Sequence, residues 1–143
     1  MRLDEHEAAA RLAAADHGIL CTVHATRGVD AVPVAYAVDR DGYVGVPIDR
    51  VKPKASERLQ RERNLGADPR ATLLVEHWDR HDWSRLWWVR AQLLWEGDDA
   101  ARSEWLAERL ADRFEQYRDQ PFARVLVLRV VAVTGWAAGV DPA

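Results

Sequence analysis

Alternation of apolar and polar residues predicts that most of this chain forms short β-strands. Over residues 29–38 the larger apolar side chains recur at every second position from Val32 to Val38, with small residues and Pro33 between them. A period of two places these two sets on opposite faces of a strand. Runs of the same kind predict six strands, at residues 19–23, 29–38, 43–47, 71–77, 86–96 and 124–136.

Helical periodicity and helix end signals mark three further stretches. Asp4 and Glu7 form a capping-box pattern ahead of an Ala- and Leu-rich run, and Pro53 has the fixed φ that suits the first turn of a helix. Helices are therefore expected over residues 4–16, from Pro53 to about Leu65, and from Asp98 or Asp99 to about Tyr117.

The order of these elements predicts a mainly β, α+β fold, namely a six-stranded antiparallel barrel with three peripheral helices. The 143 residues are close to the usual size of one domain, and no repeat or linker divides them, so a single domain over residues 1–143 is expected. The chain has no G-x-G-x-x-G motif and no Gly followed by Lys, which excludes a doubly wound dinucleotide fold and a P-loop.

Charge and cysteine content narrow the function classes. A formal net charge of -3 argues against general binding to nucleic acid or to an anionic membrane. No apolar run of about 18 residues occurs, and acidic residues stand where a signal peptide has a basic start, so neither a membrane span nor export is expected. The single cysteine, Cys21, suits a reducing compartment, and we expect a cytoplasmic protein.

The strongest local signal is a basic segment at the start of the second predicted helix. Of 20 basic residues only two are lysines, and these, Lys52 and Lys54, flank Pro53. Unpaired backbone N–H groups and the helix dipole favour anions at such a position. Arg58 and Arg61 continue the helical spacing from Lys54, so one face suits a phosphate; from spacing alone, a solvated charged face is the alternative.

The second notable feature is a cluster of tryptophans. Of seven in the chain, Trp78, Trp83, Trp87 and Trp88 fall within 11 residues. On the fifth predicted strand Trp87 shares a face with core-type residues, whereas Trp88 shares the opposite face with Arg90 and other polar residues. That mixed face fits a subunit interface or the wall of a ligand pocket, and a half-exposed strand is the alternative.

Other candidate chemistry is weaker. His77 and His81 with Asp79 and Asp82 are possible metal ligands by type, but they lie in a predicted loop where no helix aligns the two histidines, so no metal site is expected. Cys21 lies in an apolar strand and is expected to be a core residue. Without a nucleophile-elbow motif, the sequence does not favour hydrolysis.

Four sequence blocks, in this order of elements, resemble the pyridoxamine 5'-phosphate oxidase-like split β-barrel family, and most closely its deazaflavin-dependent oxidoreductase branch. They cover almost the whole chain and read GILCTVHATRGVDAVPVAYAVD, YVGVPIDRVKPKASERLQRERNLGADPRATLLVEHW, DWSRLWWVR and VVAVTGW. The resemblance implies a split barrel of the FMN-binding type. It also implies a homodimer with two cofactor sites at the subunit interface.

The resemblance further implies which residues bind the cofactor. They are Lys52, Lys54, Arg58, Pro33, Val34, Ala35, Trp87, Trp88 and Trp136. In this assignment the three basic residues meet the phosphate end, and the backbone of the second strand lies along the ring system. Trp136 contacts the ring from the partner chain, and one of the two adjacent tryptophans contributes from the fifth strand.

Two departures from the family pattern bear on the cofactor. A pyridoxamine phosphate oxidase continues past its last aromatic residue with basic substrate-binding residues, whereas the seven residues after Trp136 include none, so vitamin B6 oxidation is not expected. Cations that flavin-using members carry along their second and third strands are absent between Val29 and Val46 apart from Arg40. Their absence favours the longer deazaflavin coenzyme F-420 over FMN.

The expected function is therefore that of an oxidoreductase that transfers a hydride between reduced F-420 and a small unsaturated organic substrate. Solvent or Tyr36 is the expected proton source. Because the cofactor carries this chemistry, no catalytic side chain is assigned. An FMN-binding oxidoreductase of the same family and a non-catalytic flavin or tetrapyrrole carrier are the alternatives.

Overall fold

The structure, a computed structural model, describes residues 1–49 and 59–139, and within these ranges the chain forms three α-helices and seven β-strands. The helices are α1 (Glu5–Ala14), α2 (Gln60–Ala67) and α3 (Ala100–Arg113). The strands are β1 (His17–His24), β2 (Gly28–Ala35), β3 (Ala37–Val38), β4 (Tyr43–Asp49), β5 (Arg70–His77), β6 (Trp87–Trp95) and β7 (Phe122–Ala137). Short 3-10 turns precede β6 at Trp83–Arg85 and follow α3 at Glu115–Tyr117.

The strands form one antiparallel sheet in the order β2-β1-β5-β6-β7-β4-β3. The two strands at its ends, β2 and β3, are consecutive in the chain and are joined by Tyr36 alone. One continuous segment therefore supplies both edges of the sheet. The sheet must curl until its edges approach each other, which makes it a half-barrel.

The seventh strand arises because the prediction of one strand over residues 29–38, and hence of six strands in all, is wrong. The alternation is correct, but Tyr36 uses its backbone groups outside the sheet. Its N–H donates to the Asp16 carbonyl (3.4 Å), and its carbonyl accepts from Arg113 (3.3 Å). The Tyr36 ring is fully buried, and its hydroxyl donates to the Leu12 carbonyl. The segment therefore leaves β1 at this residue and pairs with β4.

The starts of α1 and α3 follow the predicted capping residues. Asp4 accepts from the backbone N–H of Glu7 at 2.7 Å, and Asp99 accepts from the N–H of Arg102 at 3.0 Å. These bonds satisfy N–H groups that have no partner inside the helix. α3 ends four residues before the predicted Tyr117, because Phe114 is extended and the next turn is a 3-10 turn.

α2 is described from its N-cap residue Leu59 onwards, and it ends at Ala67, two residues beyond the prediction. Its expected start at Pro53 lies outside the described residues. Leu65 of α2 is buried, as a core-facing helix position should be.

Buried side chains form two clusters. The larger one fills the barrel interior with residues of the strands, α1 and α2, among them Leu20, Leu73, Val89, Leu12 and Leu65. α3 lies outside the barrel, where Leu106 and Leu110 pack with Val125 and Val127 of β7. Gly45 of β4 permits this approach, because a Cβ at that position would lie 2.8 Å from the Cβ of Leu106.

One large face of the sheet stays exposed in the described chain. We call it the outer sheet face; it includes Ile19, Cys21, Val23, Val29, Ala31, Pro33, Thr72, Leu74, Glu76, Trp88, Arg90, Gln92, Ala132, Thr134 and Trp136. Val29 is 67% exposed, and Ile19 and Trp136 are each 37% exposed. Contiguous apolar exposure of this kind is typical of an interaction surface. None of the helices in the described ranges is long and apolar enough to span a bilayer.

Candidate functional site

A cleft opens where the start of α2 meets the β1–β2 hairpin. Its volume is about 280 Å³. We call it the α2 cleft; it is lined by Thr22, Arg27, Asp30, Ala31, Val32, Leu59, Gln60 and Arg61. Its lining residues differ from those that the sequence assigns to a cofactor: in β2 they are Asp30, Ala31 and Val32, which precede Pro33, and at the start of α2 they follow Arg58 in the sequence.

An ion pair anchors the start of α2 on β7. Glu62 is 5% exposed, and its two carboxylate oxygens accept from Arg124 Nε at 2.6 Å and from Nη2 at 3.1 Å. The same carboxylate accepts from the backbone N–H of Leu59 at 3.0 Å. A buried carboxylate is stable only when it is paired in this way. The hydrogen bonds to this carboxylate, and then its negative charge, raise the pKa of Arg124.

A second polar network anchors α2 on the β1–β2 hairpin. Asn64 Nδ2 donates to Thr22 Oγ1 at 2.9 Å and to Asp30 Oδ2 at 2.8 Å, and Asn64 Oδ1 accepts from Gln60 Nε2 at 2.8 Å. Arg27 donates to both oxygens of Asp30, at 2.8 and 2.9 Å. Hydrogen bonds from Arg27 and then Asn64 hold the pKa of Asp30 below its usual value, so this carboxylate is ionised near neutral pH.

Sequence reasoning missed this network, although it left two signals. Thr22 is a polar residue at an inward position of an otherwise apolar strand, and Asn64 is the single asparagine of the chain. Both are 2% exposed. Buried polar side chains of this kind are nearly always hydrogen-bonded, but spacing alone does not identify the partner.

The predicted ring-contacting residues of β2 do not share one environment. Pro33 is exposed on the outer sheet face opposite Ile19, and its place in an edge strand explains why a residue without an N–H is tolerated. Val34 is buried in the barrel interior, and Ala35 is half-buried at the end of the strand. A ligand on the outer face would therefore contact Val34 through its backbone.

Two of the predicted tryptophans come together on the outer sheet face. Trp88 of β6 lies directly opposite Trp136 of β7 in the antiparallel register. Cross-strand neighbours of this kind have Cβ atoms about 5 Å apart. The guanidinium of Arg90 lies 5.3 Å from the centroid of the Trp88 ring, a cation–π distance. The pair forms an aromatic surface with the positive charge of Arg90 beside it, and the exposed Glu76 lies opposite Trp88 on β5.

Trp87 lies on the opposite face of β6 and is half-buried against the interior cluster. Its ring is stacked on His77, with centroids 6.3 Å apart, and the guanidinium of Arg11 lies 5.2 Å from its centroid. Of the two adjacent tryptophans, Trp88 is therefore the one that shares a surface with Trp136.

The β2 residues and the tryptophan pair occupy different ends of the outer sheet face. A row of paired residues runs from Pro33 through Ile19 and Leu74 to Arg90, which is the neighbour of Trp88 two positions along β6. Three strand spacings separate the ends of this row, about 14 Å along the sheet. Within one chain, a single ring system does not reach both groups.

The basic residues Lys52, Lys54 and Arg58 lie outside the described residues. The described chain resumes at Leu59, which lines the α2 cleft.

Tyr36 does not have the environment of a proton donor to a substrate, and that expectation is wrong. Its side chain is fully buried, and its hydroxyl donates to the carbonyl of Leu12. Burial also raises the pKa of Tyr36. The hydroxyl therefore serves the packing of α1 on the barrel.

Cys21 differs from its expected place in the core, because it is half-buried on the outer sheet face. Partial burial raises the pKa of its thiol, which keeps it protonated near neutral pH. Over residues 1–49 and 59–139, no three His, Cys, Asp or Glu side chains come together in a way that would hold a metal ion.

Comparison with known proteins rests on structure, because no family model and no curated protein matches this sequence. An FAD-binding protein from Mesorhizobium loti is 16% identical with a TM-score of 0.70, covering 94% of this chain and 93% of that chain. The chain shares its fold. A candidate pyridoxamine 5'-phosphate oxidase from Corynebacterium glutamicum is 16% identical with a TM-score of 0.58, covering 94% of this chain and 90% of that chain.

The same fold also occurs in a haem-storage protein. HutZ from Vibrio cholerae is 16% identical to this chain with a TM-score of 0.61, covering 92% of this chain and 91% of that chain. These likenesses establish a mainly β split-barrel fold for the chain.

Proposed function

We propose that the protein is an oxidoreductase that binds the deazaflavin coenzyme F-420 and transfers a hydride to a small unsaturated organic substrate. The observation that carries the proposal is the α2 cleft, which lies between β2 and the start of α2 in a fold shared with an FAD-binding protein. Its polar side chains are fixed by hydrogen bonds before any ligand binds, as a preorganised site requires.

The phosphate end of the cofactor would be held by Lys52, Lys54 and Arg58, which immediately precede the helix that forms one wall of the cleft. Glu62 and Asn64 support this role, because they fix that wall on β7 and on the β1–β2 hairpin. A fixed wall keeps a charged ligand in one orientation.

F-420 is favoured over FMN by the distribution of cations. Between Val29 and Val46 the one basic residue is Arg40, which lies in the β3–β4 turn beside Asp39 and Asp41. That turn is on the α3 side of the barrel, away from the α2 cleft. The phosphate and glutamate tail of F-420 would instead use the basic face that begins at Lys52.

The active protein in this proposal is a homodimer that buries the outer sheet face. Exposed apolar residues such as Val29 and Ile19 support such an interface. The separation of Pro33 from the Trp88–Trp136 pair supports a site built from two chains. In this proposal, as the family resemblance implies, Trp136 of one copy contacts the ring held on β2 of the other.

In the reaction, the reduced cofactor supplies the hydride when it is bound. One copy would hold the ring against the backbone of Pro33, Val34 and Ala35, and the Trp88–Trp136 surface of the second copy would exclude water from the reacting face. Solvent supplies the proton in this scheme, because Tyr36 is committed to Leu12.

Two alternatives keep support from the shared fold. FMN in place of F-420 is favoured by the fold shared with an FAD-binding protein, and a non-catalytic carrier of a flavin or tetrapyrrole is favoured by the likeness to HutZ. The same geometry would serve all three, since each ligand is a large planar ring with anionic groups.

Absorption and fluorescence titrations with F-420, FMN, FAD and haemin separate these functions. We expect the tightest binding with F-420, and oxidation of the reduced cofactor when an enone acceptor is added. Preferential FMN binding with turnover would replace F-420 by FMN. Binding of any cofactor without turnover by a panel of acceptors would support the carrier.

A further inference from the structure

The hydrogen bonds around the α2 cleft have only one consistent set of directions. Arg27 donates two of them to Asp30, and an ionised carboxylate can only accept. Asn64 must therefore turn its NH2 group towards Asp30 and its oxygen towards Gln60. Because the same NH2 group also faces Thr22 Oγ1 at 2.9 Å, the threonine oxygen must accept.

This assignment leaves the hydroxyl hydrogen of Thr22 for another acceptor. Thr22 is 2% exposed, lines the α2 cleft and donates no hydrogen bond to any residue in the described part of the chain. Because buried hydroxyl groups usually donate a hydrogen bond, a partner for this hydrogen is expected. A ligand in the cleft can supply that acceptor.

Asp30 offers the complementary group beside it. Thr22 and Asp30 are paired across β1 and β2, and both line the cleft. A carboxylate has about four acceptor positions, and the hydrogen bonds from Arg27 and Asn64 occupy three of those on Asp30. The cleft therefore presents one hydrogen-bond donor and one acceptor side by side.

We propose that Thr22 and Asp30 recognise the lactam edge of a planar heterocycle, Thr22 donating to its carbonyl and Asp30 accepting from its N–H. Asn64 is the positioning residue that sets both directions. This inference rests on the proposed function, because the pyrimidine half of a flavin or deazaflavin carries such an edge. The volume of about 280 Å³ suits one end of a cofactor, since whole ligand pockets span roughly 300–1,000 Å³.

Variants at Thr22 test the donor with ligands that lack the phosphate. Thr22→Val removes the hydroxyl at nearly constant shape, and Thr22→Ser keeps it. We expect Thr22→Val to bind riboflavin and 5-deazariboflavin about tenfold more weakly than wild type, and Thr22→Ser to bind them nearly as well. Binding of pyrophosphate, which has no ring, should not change in either variant.

A purely structural role for Thr22 would weaken ring and pyrophosphate binding together. Wild-type affinity for the rings in a folded Thr22→Val protein would likewise overturn the inference. Gly66→Ala is the matched control on α2, because a Cβ there meets nothing within 4 Å, and it should bind all ligands as wild type does.

Asn64 gives a direct probe because it is the single asparagine of the chain. In protein labelled with ¹⁵N-asparagine, titration with lumazine, a bicyclic ring that carries the lactam edge, should shift the Asn64 side-chain amide signals. The shift should disappear in Thr22→Val.

If F-420 and flavins fail to bind but lumazine shifts these signals, the proposed cofactor is wrong and the lactam site stands. If the cofactors bind and neither they nor lumazine move these signals, the lactam site is wrong and the cofactor stands; no response to any of these ligands contradicts both.

Discussion

Trp88 and Trp136 face each other across β6 and β7 on the outer sheet face. The buried clusters in which the described helices pack do not include these two residues. Trp136 is 37% exposed although it belongs to the longest strand of the sheet. Two large rings side by side on an exposed face bury further apolar area when another surface covers them, which is favourable in water. The arrangement agrees with the proposed dimer interface.

The first prediction concerns that interface. Trp136→Ala should weaken self-association about 30-fold, because a buried interface tryptophan typically contributes about 2 kcal/mol. Analytical ultracentrifugation over a concentration series measures the effect. Trp83→Ala is the control, since Trp83 is 64% exposed in the loop before β6 and lies off the outer sheet face. Equal association of wild type and Trp136→Ala would contradict this use of the face.

The second prediction concerns the anchor of α2. Glu62→Ala leaves Arg124 without its carboxylate partner and should lower the free energy of unfolding by about 2–3 kcal/mol. Glu96→Ala removes the partner of Arg129 on the surface and should change the free energy of unfolding far less, because solvent screens exposed pairs. Urea unfolding compares the two. Similar losses in both variants would show that Glu62 does not hold α2 in the way described.

The third prediction concerns the packing of α3. Gly45→Ala places a methyl group 2.8 Å from the Cβ of Leu106 and should lower the free energy of unfolding by about 1–3 kcal/mol. Gly66→Ala meets no neighbour and should leave the melting temperature unchanged or slightly higher. A Gly45→Ala protein that melts with wild type would mean that α3 does not lie this close to β4.

The fourth prediction concerns pH. Asp30 has a folded-state pKa below its unfolded value, so it contributes stability above the unfolded value near pH 4, and this contribution is lost as pH falls through the folded pKa. Asp30→Asn should therefore lose less stability than wild type between pH 7 and pH 3. Unfolding by urea at the two pH values measures this, and equal losses would contradict the Arg27–Asp30–Asn64 network.

Much of the fold follows from local patterns. Alternation along β1, β5 and β6 predicts which residues face the core, and Asp4 and Asp99 predict where two helices begin. The break at Tyr36 does not follow, because the alternation continues through it and its cause is a set of contacts with Leu12, Asp16 and Arg113.

The candidate site shows the same division. Trp88 and Trp136 could be selected from sequence as large rings on polar-edged strands, but their pairing depends on the strand order. Thr22 and Asn64 are 42 residues apart and meet only after β1 and α2 pack together. Polar partners at such separations leave no periodic signal in one sequence.

The most direct test of the proposed function is the affinity for F-420, measured by fluorescence titration of wild type and of a Lys52→Ala/Lys54→Ala variant. Arg80→Ala/Arg85→Ala, which removes two exposed cations from the loop before β6, is the control for net charge. We expect saturable binding by wild type and by the control, and affinity at least about tenfold weaker in the lysine variant. No saturable binding by wild type, or equal binding by all three proteins, would contradict the proposal.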